Sequence, residues 1–257
     1  MDWRFWRKRL GRLPGGEPDN CPARHPAWDF SPEQLKLACE ALLDSGDAAD
    51  AVEQVLRLRA EDVPAALLDG GERGLPSEER FYKTGYWRMM VGRYLFAGSQ
   101  FCRGRKVLDA CCGLGWGALL LSRYARQVTA FDVDDACVAF AAKTWPAANI
   151  RWLRCDALDR QALAGESFDG ALAMEAIEHF TAADGERLVA HMAERLNKGG
   201  IFIGTSAFPA SREEAERLAA QNPFHPHIFT GQEFRSLLLR HFSRAAIIGN
   251  WMFLALR

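Results

Sequence analysis

The second half of the chain alternates between two hydrophobic periods. Short apolar runs that end in polar or glycine-rich turns predict strands, and the segments between them repeat apolar residues at helical spacing. The predicted strands lie near Lys106–Ala110, Val128–Asp132, Ile150–Arg154, Gly170–Met174 and Gly200–Thr205, and the predicted helices near Trp116–Tyr124, Ala136–Lys143 and Gly185–Leu196. Two further apolar runs flank Gly249-Asn250, which predicts a closing hairpin. The alternation predicts an α/β fold with a doubly wound, mostly parallel seven-stranded sheet that includes one antiparallel strand.

The chain before this alternation has a helical pattern only. Ser31 followed by Pro32 is typical of a helix N-terminus, and apolar residues then recur at helical spacing. We therefore expect a small helical appendage over residues 30–75. An aromatic-rich helix that begins near Arg80 is expected to lead into the main domain, residues 76–257.

The N-terminus differs from both of these regions. Residues 1–13 carry five basic side chains and one acidic one, and Trp3, Trp6 and Leu10 share a helical face. A basic amphipathic helix of this kind is a candidate for peripheral contact with an anionic membrane surface. A frayed tail or a helix docked on its own domain remains the alternative. A Pro/Gly-rich stretch follows, so residues 1–29 are interpreted as tail and linker.

Composition narrows the class of protein. The chain has 257 residues, a net charge of −1 and 49% apolar residues, which is typical of a globular protein and gives no basic excess for nucleic acid. Its seven cysteines form no CxxC pair, and we find no signal peptide and no apolar run of the ~20 residues that span a bilayer. We expect a cytoplasmic protein, peripheral at a membrane at most, without a nucleic-acid partner.

A glycine-rich turn separates the first predicted strand from the helix that follows it. Gly113, Gly115 and Gly117 stand in the stretch VLDACCGLGWGA, where a turn of small residues lets the backbone approach a ligand closely. The spacing is GxGxG, whereas the dinucleotide-binding fingerprint is GxGxxG. In a doubly wound sheet, ligands bind beyond the carboxyl ends of the strands, where this turn lies.

Three acidic residues mark the ends of the first three predicted strands. Asp132 is placed to accept both hydroxyls of a ribose, and Asp156 to meet the edge of a base. Asp109, beside the turn, would repel a pyrophosphate but suits a cationic amino-acid group. The pattern therefore favours a nucleoside with a positively charged tail, and S-adenosylmethionine is such a molecule.

Five motifs in order resemble those of class I S-adenosylmethionine-dependent methyltransferases, over about residues 81–257: VLDACCGLGWGA, FDVDD, RCDA, FDGALAMEAIEHF and LNKGGIFIGTS. The resemblance implies that Asp109 contacts the methionine amino group and that Asp132 holds the ribose. It also implies contacts to the methionine portion, the adenine and the methyl region from Ala110, Cys111, Gly113, Gly115, Val133, Asp156, Ala157 and Glu175. Cys111-Cys112 stands where the family more often has small residues, and we interpret the pair as two buried thiols without a nucleophilic role.

Methyl transfer from a sulfonium needs a positioned acceptor and, for a hydroxyl acceptor, a base. His179, one short turn beyond the fourth predicted strand, is the preferred base; Glu178 is a candidate to orient it, with solvent exposure as the alternative. His225 and His227, in the stretch NPFHPHIF, are further candidates for the base or for acceptor contact. No third ligand stands at useful spacing from these two, so no metal site is expected.

The choice of acceptor rests on resemblance alone. The same motifs resemble bacterial methyltransferases near polysaccharide and secondary-metabolite pathways, which implies O-methylation of a saccharide or secondary metabolite. The amphipathic N-terminus fits a lipid-linked saccharide. N-methylation of a small molecule, or a non-catalytic protein that binds S-adenosylmethionine or scaffolds a partner, are the alternatives. The stretch MEAIEH, in place of an Asn/Asp-Pro-Pro-aromatic motif, disfavours a nucleic-acid or protein substrate.

Overall fold

The computed structural model describes residues 22–257. The predicted amphipathic helix, residues 1–13, and most of the predicted linker lie outside the described residues. The last part of that linker is structured: two 3-10 turns cover Pro22–Arg24 and Pro26–Asp29. Trp28 is buried, its Nε1 donates a hydrogen bond of 2.6 Å to the Pro22 carbonyl, and the guanidinium of Arg244 lies 4.5 Å from the centre of its ring. Residues 22–29 therefore pack against the C-terminal part of the chain.

The sheet has the seven strands that the hydrophobic pattern predicts. They are β1 (Lys106–Ala110), β2 (Gln127–Asp132), β3 (Ile150–Arg154), β4 (Phe168–Met174), β5 (Leu196–Thr205), β6 (Arg244–Ile248) and β7 (Met252–Leu256). The strand order is β3-β2-β1-β4-β5-β7-β6, and β7 runs in the direction opposite to the other strands of this sheet. The prediction of a doubly wound, mostly parallel sheet is confirmed. β4 and β5 begin earlier than predicted, because pairing between Phe168 and Leu196 extends both strands past a register shift.

Nine α-helices of the described residues surround the sheet: α1 (Pro32–Leu43), α2 (Ala49–Arg57), α3 (Glu79–Thr84), α4 (Tyr86–Ala97), α5 (Trp116–Ser122), α6 (Asp135–Thr144), α7 (Ala182–Arg195), α8 (Arg212–Ala220) and α9 (Gly231–Leu238). The aromatic-rich helix predicted from Arg80 is wrong as a single element. Gly85 adopts a left-handed φ of 74°, which ends α3 before α4 begins.

Side chains that alternate along each strand divide the core into two clusters, one on each face of the sheet. Val107 packs with α1, α2 and α4–α6 on one face, whereas Leu108 packs with α7 and α9 on the other. The helices of residues 32–57 thus share a hydrophobic core with the sheet. The strand order reverses between β1 and β4, so the loops that follow these strands diverge around a crevice. None of the helices between residues 22 and 257 combines the length and hydropathy needed to cross a bilayer.

Candidate functional site

A cavity of about 560 Å³ opens at the crevice beyond the carboxyl ends of β1 to β4. The segment 72–74, the start of α4 and the loop at 224–225 complete its wall. Ten of the residues that the sequence predicts for the site line this cavity: Cys111, Gly113, Asp132, Val133, Asp156, Ala157, Glu175, Glu178, His179 and His225. The topology therefore brings together residues that come from four strand ends and a distant loop.

The other four predicted residues lie elsewhere. Asp109 and Ala110 are buried in β1, and Gly115 faces the side chains of Ala141 and Trp152 rather than the cavity. The ring of His227 packs against Phe229 with centroids 4.5 Å apart, outside the cavity wall. Although His225 and His227 are nearly adjacent in sequence, only His225 reaches the site.

Asp109 carries a buried carboxyl group that no hydrogen bond from the described residues stabilises. It has no exposed surface, and neither of its carboxylate oxygens has a hydrogen-bond partner among the described residues. Burial, together with the nearby charge of Asp132, raises the pKa of Asp109 to about 8. A buried acid of this kind is stabilised by a cationic group nearby, which fits the amino group of S-adenosylmethionine.

Asp132 links the end of β2 to the glycine turn. Its Oδ2 accepts a hydrogen bond of 2.9 Å from the Gly113 N–H, and its Oδ1 accepts one of 3.1 Å from the Asp134 N–H. A carboxylate has about four lone-pair sites, so both oxygens can still accept from a ligand hydroxyl. The neighbouring Val133 side chain is 56% exposed and offers an apolar surface. This pair suits a ribose and a flat base.

The residues that follow β3 supply polar groups for the edge of a nucleobase. Asp156 is exposed on the cavity wall, and its Oδ1 accepts a hydrogen bond of 2.9 Å from the Leu158 N–H. The carbonyl of Ala157 lies 2.8 Å from Nδ1 of the buried His191, which donates to it. The turn that carries the RCDA motif is therefore fixed from two sides.

The turn after β1 adopts left-handed backbone at alternate residues, with φ of 57° at Cys111, 52° at Gly113 and 78° at Gly115. Glu175, at the end of the neighbouring strand β4, also has a positive φ, 49°. Non-glycine residues in this region are strained, and such strain concentrates at functional sites. Burial is the largest cause that raises the pKa of both Cys111 and Cys112 well above the usual range, so these thiols stay protonated. Cys111 is only partly buried, which corrects the prediction of two buried thiols.

An acidic and basic cluster lies beyond β4. The guanidinium of Arg93, on α4, is 5% exposed, and its Nη1 lies 2.9 Å from Oε1 of Glu175. Glu178 is also 5% exposed, so the alternative that it faces solvent is wrong. Burial and the charge of Glu175 raise the pKa of Glu178 to about 8. Its Oε2 is buried and has no hydrogen-bond partner within the described residues, while the residue itself contributes to the cavity wall.

His179 and His225 meet at Glu72. Nε2 of His225 lies 3.0 Å from Oε1 of Glu72, Nε2 of His179 lies 3.8 Å from the same oxygen, and the two rings are 5.1 Å apart in an edge-to-face arrangement. Nδ1 of His179 lies 3.2 Å from the carbonyl of Phe224, to which it donates, so the neutral ring keeps its lone pair on Nε2. Burial and the neighbouring His225 lower the pKa of His179, which favours that neutral form.

The sequence did not predict that residues 72–74 belong to the site. Arg73 forms an ion pair of 2.9 Å with Asp134, and Nε1 of Trp116 donates a hydrogen bond of 3.1 Å to the carbonyl of Gly74. Glu72 directly precedes these two fixed residues. The stretch LDGGERGLP has the composition of a surface loop, and no periodicity indicated that its glutamate turns inward.

Comparison with known proteins identifies the domain. Residues 107–200 match the family described as a methyltransferase domain. A Mycolicibacterium smegmatis protein described as a probable S-adenosylmethionine-dependent methyltransferase is 30% identical over 180 residues, 68% of this chain and 65% of that protein. A Mycobacterium tuberculosis protein of the same description is 31% identical over 183 residues, 68% of this chain and 61% of that protein. The chain spans less than two thirds of the length of these relatives.

Solved structures share the fold. An O-methyltransferase family protein from Burkholderia thailandensis matches with a TM-score of 0.53 and 13% identity, over 87% of this chain and 71% of that one. The N-methyltransferase NodS from Bradyrhizobium japonicum, in complex with S-adenosyl-L-homocysteine, matches with a TM-score of 0.50 and 17% identity, over 81% and 96%. The domain match, the two relatives and the strand order together show that the chain belongs to the class I S-adenosylmethionine-dependent methyltransferase family, whose cofactor is S-adenosylmethionine.

Proposed function

We propose that this protein transfers the methyl group of S-adenosylmethionine to a hydroxyl group of a small-molecule acceptor, a saccharide or a secondary metabolite. Family membership supports the donor. A cavity of about 560 Å³ is of the size of small-molecule sites, which supports a small acceptor. The observation that carries the proposal of a hydroxyl acceptor is His179, whose Nε2 lone pair is free to take a proton while Nδ1 is held by the Phe224 carbonyl. The saccharide class rests on the motif resemblance.

The donor would be held by the strand ends. The buried Asp109, two residues before Cys111 of the cavity wall, would attract the amino group through its charge. Asp132 would accept from the ribose hydroxyls, Val133 would lie against the adenine, and Asp156 and Ala157 would meet the edge of the adenine. The turn between β1 and α5 follows the methionine portion with its backbone. Because the unpartnered carboxyl of Asp109 and the exposed side chain of Val133 suit a cation and an apolar ring respectively, the described residues fit this molecule.

When bound, S-adenosylmethionine supplies a methyl group on a sulfonium sulfur, and the electrons of its carbon–sulfur bond remain on the sulfur after transfer. Nε2 of His179 accepts the proton of the acceptor hydroxyl as the oxygen lone pair forms the new bond to carbon. An amine acceptor is less favoured, because two carboxylates that would hold its cationic form are already paired: Glu72 with His225, and Glu175 with Arg93. Contact of residues 1–13 with a membrane, which suits a lipid-linked acceptor, remains part of the proposal.

Donor binding is tested by calorimetry with S-adenosylhomocysteine, which cannot react. We expect Asp132→Asn to abolish binding and the matched variant Asp135→Asn, at an exposed acid three residues on, to retain it. Normal binding by Asp132→Asn would show that the donor does not bind in this crevice.

Transfer is tested with ¹³C-methyl-labelled donor and small-molecule fractions of source cells. We expect label in a small molecule, with the NMR shift of an O-methyl group. For His179→Ala we expect retained donor binding and a loss of rate of ~100-fold or more, the effect of losing a general base. Label on nitrogen, in protein or in nucleic acid would refute the proposed acceptor class.

A further inference from the structure

Glu72, His179 and His225 form a cluster that the sequence did not predict, because its three members come from separate parts of the chain. Their candidate ligand atoms all lie within 4.8 Å of one another, and all three residues line the cavity. The expectation of no metal site assumed that no third ligand accompanies the histidines. In the structure Glu72 offers a third candidate ligand atom, and the histidine beside His225 is His179 rather than His227.

The hydrogen bonds around the cluster leave one contact unsatisfied. Because a carbonyl can only accept, the Phe224 carbonyl requires the proton of neutral His179 on Nδ1. The Nε2 lone pair then faces a carboxylate oxygen of Glu72 at 3.8 Å. Two electron pairs that face each other at this distance repel, and a positive charge between them relieves the repulsion.

The hydrogen bonds between the cluster and its surroundings are of the kind that orients metal ligands in proteins. A ligating histidine usually donates its other ring N–H to a carbonyl or carboxylate, as His179 does to Phe224. Ligating carboxylates are held by hydrogen bonds in turn, and the Asn222 Nδ2 lies 3.1 Å from Oε2 and 3.2 Å from Oε1 of Glu72. Asn222 is itself fixed, since its Oδ1 accepts a hydrogen bond of 2.9 Å from the Phe224 N–H.

We propose that Glu72, His179 and His225 together bind one divalent transition-metal cation of the Zn²⁺ class in the wall of the cavity. Two histidines and a glutamate with a fourth position left open are a ligand set of catalytic zinc sites. With bonds of about 2.0–2.1 Å, the ligand atoms of a tetrahedral zinc ion lie roughly 3.3 Å apart. The distances from Oε1 of Glu72, 3.0 and 3.8 Å, bracket that separation.

Because all three ligands line the cavity, a fourth coordination position would be reached from the cavity that the acceptor would occupy. An acceptor hydroxyl bound there would lose its proton to solvent more readily, because the cation would stabilise the alkoxide. The alkoxide lone pair would then form the bond to the methyl carbon while the carbon–sulfur bond breaks and its electron pair stays on sulfur. In this form the cation replaces the free His179 imidazole as the activator of the hydroxyl. The effect on transfer rests on the proposed function, whereas cation binding does not.

The test uses the whole chain, freed of metal with a chelator, and Co²⁺ as a coloured substitute for Zn²⁺. We expect one Co²⁺ per chain with the visible absorption of a low-coordinate nitrogen and oxygen site, displaced by Zn²⁺. Glu72→Gln and His225→Ala are expected to weaken binding by about 100-fold or more, because loss of outer partners alone costs about 10- to 100-fold. His227→Ala, two residues away and outside the cavity wall, is the matched control and should bind normally.

The outcomes separate this proposal from the proposed function. Circular dichroism and S-adenosylhomocysteine binding show whether each variant is folded. Absence of Co²⁺ absorption, equal affinity in all variants, or sulfur-to-cobalt charge-transfer bands from the cysteines would each overturn the metal site. Full methyl transfer by the chelated protein would overturn the role of the cation in transfer and leave the methyltransferase proposal intact. If the variants bind the cation as expected but the protein transfers no methyl group to a hydroxyl, the metal site would be supported and the proposed acceptor class would be refuted.

Discussion

Replacement of Asp109 by asparagine is expected to stabilise the donor-free protein at alkaline pH while it weakens donor binding. The folded pKa of about 8 lies above the ordinary value of 3.8. A group whose pKa is raised on folding contributes stability that is present below the unfolded pKa and is lost as pH rises toward the folded one. At about 1.4 kcal/mol per pH unit, ionisation of Asp109 costs on the order of 5 kcal/mol by pH 8, of which about 2 kcal/mol falls between pH 6 and pH 8.

The assay is the free energy of unfolding in urea at several pH values, for the natural chain and for Asp109→Asn. Asparagine does not titrate, so the difference between the two proteins should change by about 2 kcal/mol from pH 6 to pH 8 in favour of the variant. Glu178, whose pKa is also raised, is common to both and cancels in the difference.

Donor binding gives an independent readout of the same group. A cationic amino group beside Asp109 favours the carboxylate, so binding of S-adenosylhomocysteine near pH 6.5 should release up to one proton, measured by calorimetry in buffers of different ionisation enthalpy. The asparagine variant should release none. Equal pH dependence of stability, together with equal proton release in both proteins, would refute the assignment of a raised pKa and a cationic contact to Asp109.

Two further predictions concern the architecture of the site. Glu175→Gln removes the carboxylate that pairs with the buried guanidinium of Arg93 and should lower the free energy of unfolding by about 3–5 kcal/mol. Arg93→Met leaves only a half-exposed carboxylate and should cost less, and the reverse order in urea unfolding would contradict this. Gly115→Ala places a Cβ 2.5 Å from that of Ala141 at a φ of 78° and should cost about 2–5 kcal/mol. Gly113→Ala, also left-handed but facing open space, should cost about 1–2 kcal/mol, and similar losses in the two variants would argue against the close packing at Gly115.

The sequence was sufficient for the sheet and for the donor half of the site because both depend on local pattern. A buried parallel strand is a short apolar run, and the residue that follows it must lie at the carboxyl edge of the sheet. Asp132 and Asp156 follow β2 and β3 in this way, so their position in the cavity could be predicted without knowledge of any tertiary contact. The break at Gly85 was also readable in principle, since a glycine within an aromatic-rich helix is a natural end point.

The other half of the site depends on contacts between distant segments. Glu72 and His225 are 153 positions apart. His225 was a candidate from the sequence, but Glu72 lies in a polar loop whose composition predicts only exposure. Their contact requires that Gly74 accept a hydrogen bond from Trp116 and that Asn222 be held by the Phe224 N–H, and neither bond has a periodic signature. For the same reason the separation of His225 from His227 could not be foreseen.

Residues 72–74 connect the two halves of the site. Arg73 pairs with Asp134, whose side chain caps α6 by accepting from Ala136 and Cys137 and whose backbone N–H is held by Asp132. Arg73 is therefore tied to the strand end that is proposed to hold the ribose. Its neighbour Glu72 turns to the two histidines. Because Glu72 and Arg73 are adjacent, one dipeptide contacts both the end of the donor strand β2, through Asp134, and the histidine cluster.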